Sequence, residues 1–148
     1  MPWVNLRDDC YATLDEIIEC ANEFGPIIKK CEDESMGCGL FAERDYEVGE
    51  EVTCYSGEKL YGKHNGDYVV QVNDRWAIDA EFRFNIYHKG RWVNEHPRDP
   101  KWENVNLCRR GKRLVFVTSC PVKKGQQFFW YYGPEYKRTW TAWQVSYF

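Results

Sequence analysis

The residues with chemical potential in this 148-residue chain are a glycine pair at 37 and 39, the phenols Tyr131 and Tyr132, seven cysteines and three histidines. The two phenols close an aromatic run over 128–132. Glycines let a backbone approach a ligand closely, as a cofactor-lining loop requires, although a glycine pair before a strand also makes an ordinary turn. Consecutive strand residues point to opposite faces, and a buried strand with no chemistry has little use for two phenols. The amide of Asn94 can hydrogen-bond a ligand or stabilise a turn.

Much general chemistry is excluded. The sequence has no G-x-S-x-G nucleophile elbow, no phosphate loop ending in Gly-Lys, no H-E-x-x-H and no G-x-G-x-x-G behind a strand. His64, His88 and His96 stand far apart and read as separate loop residues. Cysteines 10, 20, 31, 38, 54, 108 and 120 form no C-x-x-C pair, so no structural metal is expected. Their odd number, without a signal peptide, predicts reduced thiols in an intracellular compartment, most of them packed as small apolar residues. No apolar run is long enough to cross a membrane, so a soluble, non-secreted protein is expected.

The elements that must position these residues are mostly strands. Asp8 or Asp9 can cap one helix over 9–24, whose apolar positions Tyr11, Leu14, Ile17, Ile18 and Ala21 follow helical spacing and which Gly25-Pro26 stops. Short β-branched and aromatic stretches at 26–30, 39–42, 51–55, 68–72, 76–78, 114–118 and 128–131 read as strands. Turn signals separate them at Gly49-Glu50, His64-Asn65-Gly66-Asp67, Asn73-Asp74, Arg110-Gly111-Lys112 and Lys124-Gly125. Residues 81–106 read as one irregular stretch, which in a compact domain is usually functional.

Charge divides the chain. Residues 1–80 carry 7 Lys/Arg against 18 Asp/Glu, a local −11, and residues 81–148 carry 13 against 5, a local +8. An acidic half can attract a basic peptide and a basic half can lean on nucleic acid; folded together, the halves can also neutralise each other.

Four segments resemble the SET domain in order and content. Ser35-Met36-Gly37-Cys38-Gly39-Leu40-Phe41-Ala42 is similar to its G-x-G-hydrophobic-F-A segment, and Val48-Gly49-Glu50-Glu51-Val52 stands at its G-E turn. Tyr55-Ser56-Gly57-Glu58 closes the next strand. Ala77-Ile78-Asp79-Ala80 resembles the I-D-A segment, followed by Gly90-Arg91-Trp92-Val93-Asn94 where the family reads R-[FW]-[IV]-N-H-S. Residues 124–133 occupy the place of G-E-E-L-T-[FY]-D-Y-G, and Trp130-Tyr131-Tyr132-Gly133-Pro134-Glu135-Tyr136 looks like the PR subtype. The chain departs from the pattern at Glu95-His96, in place of His-Ser, and at Gln126, Gln127 and Tyr131, in place of three acids. It also lacks a Cys-rich segment after the tyrosine motif.

The resemblance implies a mostly β SET-domain fold with short helices, several small sheets and a C-terminal pseudoknot. It covers residues 26–136, with a helical extension at 1–25 and an aromatic tail at 137–148 packing on the domain. It implies a protein-lysine N-methyltransferase using S-adenosylmethionine, with Tyr132 as catalytic tyrosine and Tyr55 as the second channel tyrosine. Trp130 and Tyr131 would contact substrate, and the indole of Trp130 would restrict the number of methyl groups that fit. The cofactor would rest on Gly37, Cys38, Gly39, Leu40 and Asn94, with Trp140 or Trp143 stacking on its adenine. A histone tail is the favoured substrate, nucleosomal DNA a contact for Arg109, Arg110, Lys112 and Arg113, and the nucleus the expected location. Two other readings stand beside it: a catalytically silent PR/SET-like protein-interaction module, and a nucleic-acid-binding β domain stacking bases on its rings.

Overall fold

The computed structural model describes residues 3–7, 13–99 and 101–133. In chain order its elements are strand β1 (Trp3–Asn5), helix α1 (Leu14–Ala21), β2 (Ile27–Lys30), β3 (Cys38–Phe41), β4 (Glu51–Tyr55) and β5 (Glu58–Tyr61). They continue with β6 (Val69–Asn73), β7 (Trp76–Asp79), β8 (Arg83–Asn85), β9 (Val105–Arg110) and β10 (Arg113–Thr118). Single 3-10 turns lie at Glu34–Met36 and Gly90–Trp92. The strands form four small antiparallel sheets, ordered β1-β8, β2-β3, β5-β7-β6 and β4-β10-β9.

Hydrophobic patterning explains the centre. Leu114-Val115-Phe116-Val117 is a continuous apolar run, which suits a strand covered on both faces. β10 accordingly lies between β4 and β9 and is buried from Leu114 to Thr118. Phe84, Phe116, Phe128, Leu40 and Ile28 are the largest apolar side chains of the core that are completely buried. Gly111, at φ 63°, makes the tight β9–β10 turn that places Arg113 opposite Arg110.

Four strands depart from expectation. β1, β5, β8 and β9 were not anticipated, and residues 81–106 hold β8, a 3-10 turn and the start of β9. β9 reads Val-Asn-Leu-Cys-Arg-Arg, with only Val105 buried and two exposed arginines at its end, so no apolar run announces it. Conversely, 128–131 forms no strand, for reasons that belong to the site.

Helix α1 is shorter than its apolar spacing suggests. Thr13 caps it by accepting the Glu16 N–H at 3.3 Å, while Asp8, Asp9 and Tyr11 lie outside the described residues. Ile17 and Ala21 reach the core, but Leu14 is 41% exposed. The helix ends before Gly25 because the Asn22 amide donates to Ile28 O and accepts from Ile28 N, both at 2.8 Å, tying the helix end to β2.

Lys89, 2% exposed, donates its ammonium to the carbonyls of Phe24 and Pro26, the latter at 2.6 Å. Burial pulls its pKa down from the ordinary lysine range to about 8. With the folded value below the unfolded one, the stability associated with Lys89 is present above the unfolded pKa and lost as pH falls through about 8. Melting curves of wild type and Lys89→Met are expected to diverge progressively from pH 10 down to 8, with only the wild type carrying this dependence. Parallel pH profiles would refute the assignment.

Cysteine packing also differs from expectation. Of the six described cysteines, all unpaired, Cys31 alone is buried, Cys20 is exposed and the other four are half-buried. Among the described residues no helix is long and apolar enough to cross a membrane.

Candidate active site

The β4-β10-β9 sheet builds the floor of the site. Leu114 pairs with Tyr55 on one side and Arg109 on the other, so these three share a row and a face. Phe116 sits in the next row, its ring edge-on to Tyr55 at 6.3 Å and to Trp130 at 5.4 Å. Trp130 in turn meets Tyr132 at 5.3 Å, giving four rings in series.

Residues 128–132 carry two of these rings and are held without a ladder. Every buried N–H needs an acceptor, and here each goes to a different place. Phe128 N donates to Leu40 O at 2.8 Å and Phe129 N to Asn104 Oδ1 at 2.8 Å. Trp130 N donates to Asn94 O at 2.9 Å, Tyr131 N to Glu103 Oε2 at 3.2 Å and Tyr132 N to Glu95 Oε1 at 2.6 Å. Odd residues bind the 103–104 limb and the even residues Trp130 and Tyr132 bind the 94–95 limb. The segment therefore runs between both limbs of one loop, with a single parallel bridge from Asn94 to Phe129. That is the threaded arrangement expected of the pseudoknot, and it explains why a strand-like composition yields no strand.

A cavity of about 610 Å³ opens over the rings. Tyr55, Val93, Trp130 and Tyr132 line it, together with β6 residues Val69–Val72 from one sheet and Leu107, Arg109 and Leu114 from another. Both phenol hydroxyls donate to main-chain carbonyls, Tyr55 to Tyr68 O and Tyr132 to Val93 O at 2.9 Å. A phenol that has given away its proton offers oxygen lone pairs as acceptors. Two such acceptors lining one cavity suit an amine or a polarised methyl group.

Arg91, the arginine of the R-W-V-N segment, is structural. It donates to Ala80 O at 2.9 Å and Glu81 O at 3.2 Å, with the Tyr68, Phe84 and Trp92 rings 4.3–4.7 Å from its guanidinium carbon. Burial lowers its pKa. It ties the Ile-Asp-Ala strand end to the segment carrying Asn94.

On the far side of 128–132, Asn94 Nδ2 donates to Cys38 O at 3.0 Å and Gln127 Oε1 at 3.2 Å. This brings three of the four sequence segments together. Gln127 Oε1 also takes the Cys31 thiol at 3.5 Å, and Gln126 Oε1 accepts from Lys123 N at 2.8 Å. Both glutamines thus use the acceptor oxygen that a glutamate would supply, without its charge.

The glycine pair divides in role. A Cβ on Gly39 would lie 2.3 Å from Gln127 Oε1 and 2.9 Å from Cys31 Sγ, so this glycine serves close chain packing. Gly37, at φ +64°, faces open space. Leu40 is wholly buried, and its carbonyl is taken by Phe128 N. Gly37 and half-buried Cys38 are thus the accessible part of the expected cofactor segment.

Of the expected substrate contacts, Trp130 lines the cavity and Tyr131 does not, as alternation along an extended segment requires. Trp140 and Trp143 lie outside the described residues. The sequence reading missed Glu95, Glu103 and Asn104 as anchors of 128–132. Glu95 was visible only as a departure from His-Ser. Asn104, which also donates to Gln127 O at 2.9 Å, had no signal beyond its place before β9.

A family model described as the SET domain matches residues 37–133, well over half of the chain. The chain belongs to the SET-domain family. Members of that family are typically protein-lysine methyltransferases and generally use S-adenosylmethionine. A comparison with curated proteins returns no significant match.

Proposed function

We propose that this chain is an S-adenosylmethionine-dependent protein-lysine N-methyltransferase. The observation that carries the reading is the pair of phenols, Tyr55 and Tyr132, which line one ring-lined cavity and whose hydroxyls both donate to main-chain carbonyls.

The bound cofactor would supply a methyl group on a positively charged sulfur. Asn94 fits such a ligand, since its Nδ2 is engaged while its Oδ1 carries no hydrogen bond among the described residues. That oxygen is an acceptor for an exocyclic amine or an ammonium. Gly37 and Cys38 provide the backbone alongside, backed by Gly39 and Leu40.

From the cavity side, Tyr55 and Trp130 hold the aliphatic stem of a lysine, with buried Phe116 packed behind both rings. Burial disfavours its ammonium form, so the amine releases its proton to water before transfer. The Tyr132 oxygen then orients the neutral amine, and this alignment is the main contribution the protein makes to an in-line displacement. The rings also accept the charged methylammonium product.

A histone tail is the substrate class we favour from the family, with nuclear localisation following from it. Of the four cations assigned to a DNA contact, Arg110 and Arg113 are held by Glu51 at 2.6 and 3.3 Å and Arg109 lines the cavity. A nucleosomal contact would thus fall first to Lys112. The domain limits 26–136, the extension at 1–25 and the packed tail at 137–148 are part of the same proposal.

Buried Glu95 in place of the family's histidine favours a second reading, a silent PR/SET-like interaction module. Calorimetric titration with S-adenosylhomocysteine separates the two. Micromolar affinity is expected, weakened about 10-fold in Asn94→Ala by the loss of one or two hydrogen bonds. A folded wild-type protein that does not bind would leave the interaction module.

A further inference from the structure

Two of the strands that contribute to the cavity lining, β6 and β9, are edge strands of their sheets. β6 pairs only with β7, and β9 only with β10, so each presents one unpaired side among the described residues. An extended peptide lying across the face of the β4-β10-β9 sheet can send a lysine to the rings while its neighbouring residues pass over β9.

On the β9 wall, Leu107 and Arg109 face this space. Arg109 differs from its neighbours in the same hairpin. Arg110 and Arg113 are committed to Glu51, whereas Arg109 has no carboxylate partner among the described residues. Its Nε donates to Gly111 O at 3.3 Å, and its guanidinium carbon lies 5.9 Å from the Trp76 ring centre. Arg91, the other arginine at the cavity, is spent on two carbonyls. Arg109 is thus the cation placed to read a substrate.

The sheet register gives its distance from the reacting centre. Tyr55, Leu114 and Arg109 occupy one row across three adjacent strands. Neighbouring strands are about 4.8 Å apart, so Arg109 stands about 10 Å from Tyr55 along the row. A peptide that crosses the strands along this row advances about 3.3 Å per residue, which makes this about three residues.

We propose that Arg109 selects target lysines that carry an aspartate or glutamate about three residues away. This rests on the methyltransferase reading and narrows it, because a tail that is basic throughout would place a like charge at Arg109.

The test uses the full chain and fluorescent peptides with one central lysine, scanning Glu, Gln or Lys through the four positions on either side. Binding by anisotropy and methyl transfer are both read. Glu about three residues from the lysine is expected to tighten binding about fivefold over Gln, the size of a partly exposed ion pair, with the gain vanishing at high salt. Arg109→Glu is expected to transfer the preference to Lys at that same position. An equal preference in wild type and Arg109→Glu, or no binding by any peptide, overturns the proposal. Charge-selective binding without methyl transfer would keep the subsite and reject the enzyme reading. Transfer without charge selection would do the reverse.

Discussion

Tyr132→Phe is expected to lower kcat by about 10²-fold, the scale associated with misaligned reacting groups, while S-adenosylhomocysteine affinity stays near wild type. The substitution keeps the ring, and with it the 5.3 Å contact to Trp130. It removes one part-buried hydrogen bond, to Val93 O, whose net worth is about 1 kcal/mol. The fold should survive that loss. The amine, however, loses an oxygen that its Val93 bond had fixed in orientation, and in-line transfer tolerates misalignment poorly. Single-turnover methyl transfer measured beside calorimetric affinity separates alignment from binding. Unchanged turnover in Tyr132→Phe would remove the phenol from the mechanism and return 128–132 to a purely structural role.

The site was legible in the sequence where types and spacing were both constrained. Gly37, Tyr55, the Ile-Asp-Ala strand, Asn94 and Tyr132 stood in family order, and three of those segments meet through the Asn94 amide. The continuous run in β10 and the Gly111 turn were readable from patterning alone. Residues 128–132 were not, because five β-prone rings predict a ladder. What decides their state is the destination of each N–H, and three of the five acceptors are the side chains of Glu95, Glu103 and Asn104. No local pattern records such a pairing. β9 was missed for a related reason: Leu107 and Arg109 line a cavity and the strand ends in two exposed arginines, so no apolar run forms.

Glu95 tests whether a departure from the family pattern means loss of activity. Its side chain is 2% exposed and its carboxylate holds Tyr132 N at 2.6 Å, next to Asn94, whose carbonyl holds Trp130 N. In this chain the residue in the histidine's place therefore sets the position of the candidate catalytic tyrosine. Glu95→Ala leaves the part-buried Tyr132 N–H without this acceptor, at a cost of about 1–3 kcal/mol, and frees the backbone that aims the phenol. A melting temperature lower by several degrees is expected, together with a kcat loss of about 10-fold or more and a smaller change in KM. Glu95→Gln retains an acceptor oxygen of the same reach and is expected to recover most of the turnover, which a general packing defect would not allow. The two variants separate geometry from charge: if Gln restores kcat, the carboxylate acts by holding the Tyr132 N–H, and if Ala itself turns over like wild type, Glu95 has no part in positioning Tyr132. In the first case the missing His-Ser is a replacement of one anchor by another, and the chain's divergence at this position carries no argument for a silent module.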